Sequence, residues 1–201
     1  YGFDVLKAPG VGLFTSYGAE WLGDKRFDPV FDELNRRKAI CYVHPNTANC
    51  CGRLIPEVAD TLIEYGTDTT RAIASYIYRG AARRFPDVRM IWSHSGGTMP
   101  FLIERFDGAD RGPAAKAQAP DGFRKTAARF FYDIAQSTET VPSRALKELV
   151  PTDHIVFGSD YPFRTTLDHV KGLESAKVYT GAELKGIFAG NVGRYLPELL
   201  R

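Results

Sequence analysis

No apolar run in the 201-residue chain approaches the ~20 residues needed to cross a bilayer, so nothing in it reads as a membrane span. An excess of one charge is also missing. With 26 basic against 24 acidic residues the formal charge is +2, which gives no electrostatic case for nucleic acid or an anionic membrane. Cysteine is scarce. Cys41, Cys50 and Cys51 follow no zinc-finger spacing, and an adjacent pair seldom closes on itself, so all three read as reduced thiols of a cytoplasmic protein. Absent too is a Gly-x-Gly-x-x-Gly after the first strand-like run, which removes the main support for a dinucleotide-binding fold. What is present, 44% hydrophobic and 25% charged residues, is ordinary globular composition and argues against disorder. The length suits one domain, 1–201, with a sizeable core.

Apolar strand-like runs alternate with segments of helical period. Strands are expected at 11–16, 39–44, 89–93, 130–135 and 155–158, with helices near 29–37, 69–85, 99–106 and 142–150 and further helical segments closing the chain. On the longest helix Ile73, Ala74, Ile77, Ala81 and Phe85 share one stripe, with Arg71, Arg79 and Arg83 on the other side. Residues 108–122, rich in Ala, Gly, Pro and charge, read as a mobile loop. About five βα units in strict alternation imply parallel strands, hence a doubly wound sheet or a (β/α)8 TIM barrel. The chain opens on Tyr1, and Gly2-Phe3-Asp4-Val5-Leu6-Lys7 read like the tail of a helix. Full barrels usually need ~250 residues, so the expectation is an α/β barrel that is incomplete, carrying about strands 4–8 with the first three βα units absent.

Three of the strand-like runs end in a residue able to bind a metal or carry a proton: Tyr42-Val43-His44-Pro45, Ile91-Trp92-Ser93-His94-Ser95-Gly96-Gly97 and Val156-Phe157-Gly158-Ser159-Asp160. Strand C-termini are where parallel α/β proteins build their sites. Each residue alone has a plainer reading. His44 before Pro45 can be a satisfied polar residue opening a loop, the glycines after His94 can merely let the chain turn, and Asp160 sits in turn composition. Together, two imidazoles and a carboxylate suit a divalent metal or proton-transfer site. Spacings of 50 and 66 residues are far too long for a local zinc motif, so the inference depends on the barrel. Arg105, eleven residues after His94, is either a solvated helix charge or a fork for a carboxylate, and Arg164 has the same two readings. His154 and His169 read as surface residues, and Cys50 and Cys51 as structural or lining a site.

These runs, with Ser93-His94-Ser95-Gly96-Gly97-Thr98-Met99-Pro100-Phe101 and Phe157-Gly158-Ser159-Asp160-Tyr161-Pro162 the most specific, resemble the amidohydrolase-related decarboxylases. This is the group of aminocarboxymuconate-semialdehyde, γ-resorcylate and 6-methylsalicylate decarboxylases. Gly12-Leu13-Phe14-Thr15-Ser16-Tyr17-Gly18 with Trp21-Leu22-Gly23-Asp24 looks closest to the methylsalicylate branch. The resemblance implies a (β/α)8 barrel holding one divalent metal, Zn2+ or in some members Mn2+. His44 and Asp160 would be metal ligands and catalytic His94 would handle a proton together with Asp160. Arg105 would bind the substrate carboxylate in a neighbouring subunit's site, so the implied assembly is a homodimer. The family's His-x-His or Glu-x-His pair on a first strand has no counterpart among the four histidines here.

The implied reaction is metal-dependent, non-oxidative decarboxylation of a hydroxybenzoate-like or enol-type carboxylic acid. Two other readings stand beside it: an amidohydrolase-type hydrolase of lactones or amides, and an inactive truncated barrel with an exposed edge strand.

Overall fold

The computed structural model describes residues 1–200. Five parallel strands form one sheet: β1 (Gly10–Phe14), β4 (Ile40–His44), β5 (Arg89–Trp92), β6 (Phe131–Asp133) and β7 (Ile155–Val156), hydrogen-bonded in that order. Strand order equals chain order and never reverses. A doubly wound sheet needs a reversal at its switch point, so the sequential order is that of a barrel wall, here five strands long with β1 and β7 at its edges. A small antiparallel hairpin, β2 (Ser16–Tyr17) and β3 (Glu20–Trp21), follows β1 and turns at Gly18 (φ 68°). It replaces the end of the strand expected at 11–16.

Alternation along the strands explains the two-sided burial. Cys41, Val43, Met90, Trp92, Tyr132 and Ile155 join the large core under the helices. Ile40, Ile91, Phe131 and Val156 face the other way, where Leu196 closes a small cluster on the barrel-lumen side. Arg89 fastens this floor by donating to Tyr195 O and Glu198.

The helices are α1 (Asp28–Arg36), α2 (Asp60–Tyr78), α3 (Ala81–Arg84), α4 (Ile103–Ala109), α5 (Pro113–Gln118), α6 (Phe123–Ala127), α7 (Thr140–Leu149), α8 (Thr166–Ala176), α9 (Gly181–Lys185) and α10 (Asn191–Tyr195). The helix expected at 69–85 starts nine residues earlier and breaks at Gly80 (φ 77°), where a left-handed backbone separates α2 from α3. Its first turns carry exposed Leu62 and Ile63, which hide the helical stripe from a pattern search. Residues 108–122 are not a loose loop. They hold α5, and Asp110 accepts from Tyr78 Oη and Phe123 N, pinning both ends. Residues 1–7 make one hydrogen-bonded turn (Val5 N to Tyr1 O, 2.9 Å) in place of a regular helix. No helix among the described residues is long and apolar enough to cross a membrane.

Candidate metal centre

The ends of β4, β5 and β7 bring His44, His94 and Asp160 together, with one ligand atom from each lying within 4.8 Å of the others. His44 is the last residue of β4. His94 follows β5 after Ser93, and the chain there adopts left-handed backbone at two successive non-glycine residues, His94 (φ 52°) and Ser95 (φ 56°). Asp160 is likewise left-handed (φ 57°), four residues beyond β7. Three such positions within one site mark a backbone held in place by its surroundings.

Hydrogen bonds fix which atoms face the gap. Nδ1 of His44 lies 2.8 Å from Pro45 O, and Nδ1 of His94 lies 3.1 Å from Ala135 O. A carbonyl has no proton to give, so both Nδ1 atoms carry a hydrogen, and in the neutral ring each Nε2 keeps its lone pair for a metal. Nε2 of His44 stands 3.7 Å from Asp160 Oδ1. Two free imidazole nitrogens and a carboxylate oxygen are a donor set suited to a divalent first-row metal, and carbonyls that hold the far ring nitrogens are the usual outer support of such ligands. The residues present therefore fit the metal expected from the sequence.

The stretch Asp133–Gln136 escaped the sequence reading. Asp133, the last residue of β6 and 2% exposed, accepts from His94 N (2.8 Å), Ala135 N (3.0 Å) and Tyr42 Oη (2.6 Å). Gln136 Nε2 donates to Asp160 Oδ2 at 3.1 Å. The signal was available: Phe130-Phe131-Tyr132-Asp133 also delivers a carboxylate to the end of an apolar strand. A second buried carboxylate, Asp68 on α2, accepts from Thr15 Oγ1, Ser16 Oγ and Trp21 Nε1. Asn46 donates its N–H to Thr15 Oγ1 and its Nδ2 to Ser16 O, so the hairpin after β1 is tied to the chain two residues past His44.

Other sequence expectations fare differently. Arg105 lies exposed on α4, makes no ion pair among the described residues, and is not among the residues gathered around the three donors. His169 is buried, not superficial: Nε2 accepts from Gln136 N (2.9 Å) and Nδ1 bonds Thr165 O (3.1 Å). His154 is half-buried and stacks on Phe131 with ring centroids 4.7 Å apart. Cys50 and Cys51 are joined as a disulfide in the loop after β4, which corrects the expectation of three reduced thiols. Cys41 alone is free, and burial pushes its thiol up to about 12.

Comparison with known proteins agrees with this geometry. The model of the Amidohydrolase family matches residues 3–196. The decarboxylase macB of Penicillium terrestre is 30% identical over 209 residues, covering 98% of this chain and 62% of that protein. The 6-methylsalicylic acid decarboxylase acuB of Aspergillus aculeatus is 35% identical over 170 residues, covering 81% of this chain and 51% of that one. The chain thus spans roughly half to three-fifths of these relatives' length. A manganese-bound 5-carboxyvanillate decarboxylase from Novosphingobium aromaticivorans superposes with a TM-score of 0.83 at 17% identity, covering 98% of this chain and 58% of that one. A complete likeness on this side and a partial one on the other is what a segment of barrel wall gives. Family match, relatives and strand order concur, and the chain belongs to the Amidohydrolase family, among whose members its similar relatives are decarboxylases.

Proposed function

We propose that the intact protein is a carboxy-lyase that releases CO2 from a small hydroxylated aromatic or enol-type carboxylic acid. His44 and Asp160 would hold one divalent cation, zinc or manganese. The observation that carries the reading is the convergence of two imidazoles with free Nε2 atoms on one carboxylate at the strand ends. When bound, the cation supplies positive charge that neutralises the acid's carboxylate and an adjacent oxygen. His94, with Nδ1 held by Ala135 O, presents Nε2 to the gap, where it can take up the acidic hydrogen that the substrate brings and then hand that proton to the ring carbon bearing the carboxylate. That carbon gains a hydrogen, its bond to the carboxylate carbon breaks, and the electron pair returns to the ring as CO2 leaves. Asp160, steadied by Gln136, is the second group able to hold a proton there.

The lumen face gives a ring somewhere to lie. Tyr42 and Ile91 sit side by side below the donors, and Gly12 beside Tyr42 has nothing within 4 Å of where a Cβ would stand. Arg105, exposed and without an ion pair among the described residues, could serve a second copy of the chain, in a homodimer where it clamps the neighbour's substrate carboxylate. The test is CO2 release by the intact protein, loaded with zinc or manganese, from a panel of hydroxybenzoates including 6-methylsalicylate. His94→Gln should lower kcat by about 10²-fold or more, and Arg105→Ala should raise KM. Stoichiometric metal with no CO2 from any acid would end the proposal.

A further inference from the structure

Asp133 does more than fill a buried position. Its two oxygens divide their work. Oδ1 accepts the main-chain hydrogens of His94 and Ala135, at 2.8 and 3.0 Å, while Oδ2 accepts the phenol of Tyr42 at 2.6 Å. These donors come from the turn after β5, the loop after β6 and the strand β4, so one carboxylate ties three parts of the site. It has little freedom to leave. A Cβ on Gly158 would stand 2.9 Å from Asp133 Cγ, so the chain just past β7 presses against the carboxylate from the other side. The backbone it holds at His94 is left-handed, a conformation that persists in a non-glycine residue only where neighbours impose it. Ala135, bonded through its N–H to the same Oδ1, offers its carbonyl to His94 Nδ1. Main chain and ring of His94 are therefore both referred to Asp133. Tyr42 is 36% exposed on the lumen face, two residues before His44, and its phenol is turned onto Oδ2.

We infer that Asp133 is a positioning residue, whose Oδ1 fixes where the His94 imidazole stands and whose Oδ2 keeps the Tyr42 phenol on the lumen floor. The two side chains are thereby held as one unit. The importance of that unit to turnover rests on His94 moving the proton in the reaction proposed above, but the placement itself is testable without turnover.

The experiment uses the intact, metal-free protein labelled with 15N at histidine. In the wild type the Nδ1–H of His94 should give a slowly exchanging signal, assigned by its loss in His94→Gln. Asp133→Ala should lose that protection by on the order of tenfold or more. Asp133→Asn should keep it, because an amide oxygen at Oδ1 still accepts both main-chain hydrogens, while Nδ2 now donates to the Tyr42 oxygen. Tyr42→Phe should fall between, since it releases Oδ2 alone. In turnover, Asp133→Ala should cut kcat about 10²-fold with KM little changed, the scale of a small misplacement, and Asp133→Asn should restore most of it. Should Asp133→Ala fail to fold by circular dichroism, the Asn variant decides: loss of the His94 signal there overturns the inference, and so does full protection in a folded Ala variant. If no acid is decarboxylated but the Ala and Asn variants behave as stated, the reaction reading falls and the positioning role stands.

Discussion

Nε2 of His44 stands 3.7 Å from Oδ1 of Asp160, while Nδ1 on the far side of the same ring is held by Pro45 O. That separation is too long for a hydrogen bond and close to what one shared cation imposes. Two ligand atoms each ~2.1 Å from a tetrahedral zinc stand about 3.4 Å apart. His44→Ala and Asp160→Asn should each weaken manganese or zinc binding to the metal-stripped protein by more than about 100-fold, beyond the loss typical of an outer supporting residue. Manganese titration followed by electron paramagnetic resonance measures this directly. Unchanged affinity in both variants would place the cation elsewhere.

Gly97 permits the turn after His94 to touch α2. It has φ 67°, and a Cβ there would stand 2.0 Å from Gly66 O on the helix, whose carbonyl accepts from Thr98 N at 3.3 Å. The obstacle is backbone, so no side chain can swing aside. Gly97→Ala should cost at least about 2 kcal/mol from the strained φ and the forced separation of the helix, read as a lower urea midpoint. Gly108→Ala on α4, with nothing within 4 Å, is the control and should be neutral or slightly stabilising.

Much of this arrangement was legible in the sequence, and the reason is physical. A parallel strand buried on both faces must be apolar along its length, so a polar residue at its end is visible in one dimension. His44, His94 and Asp160 were found that way, with the strand order then bringing them together. Asp133 fits the same rule but was absorbed into a strand expected to run on to 135, where β6 stops at Asp133. Other failures lie where tertiary contacts overrule local composition. His169 looks solvated on α8 until Gln136 N is brought to its Nε2. Residues 108–122 have loop composition, yet Asp110 captures Tyr78 and Phe123 and folds them down. The Cys50–Cys51 bond follows from a loop conformation that no spacing rule encodes.

The three cysteines should separate cleanly by reactivity. Without reductant, an Ellman titration of the native protein should find no fast thiol: Cys50 and Cys51 are bonded to each other, and Cys41 is fully buried with its thiol pushed up to about 12. Denaturation alone should expose one thiol and reduction should add two more. Three thiols in the unreduced, unfolded protein would remove the disulfide.

Alkaline pH should unfold the molecule through its buried tyrosines. Burial drives the phenols of Tyr76, Tyr132 and Tyr179 well above the ordinary 10.0, and each is nearly inaccessible to water. The sign follows from linkage. A raised folded pKa means that the native state keeps its protons where the unfolded chain releases them, so this stability is intact below pH 10 and falls as the pH rises further. Three phenols that remain protonated in the fold together give a slope of about 4 kcal/mol per pH unit above that point. Tyrosinate absorbance from the buried set should therefore rise in one step coincident with loss of circular dichroism. A single smooth titration near pH 10 with the dichroism intact would mean that these phenols are not held in the core.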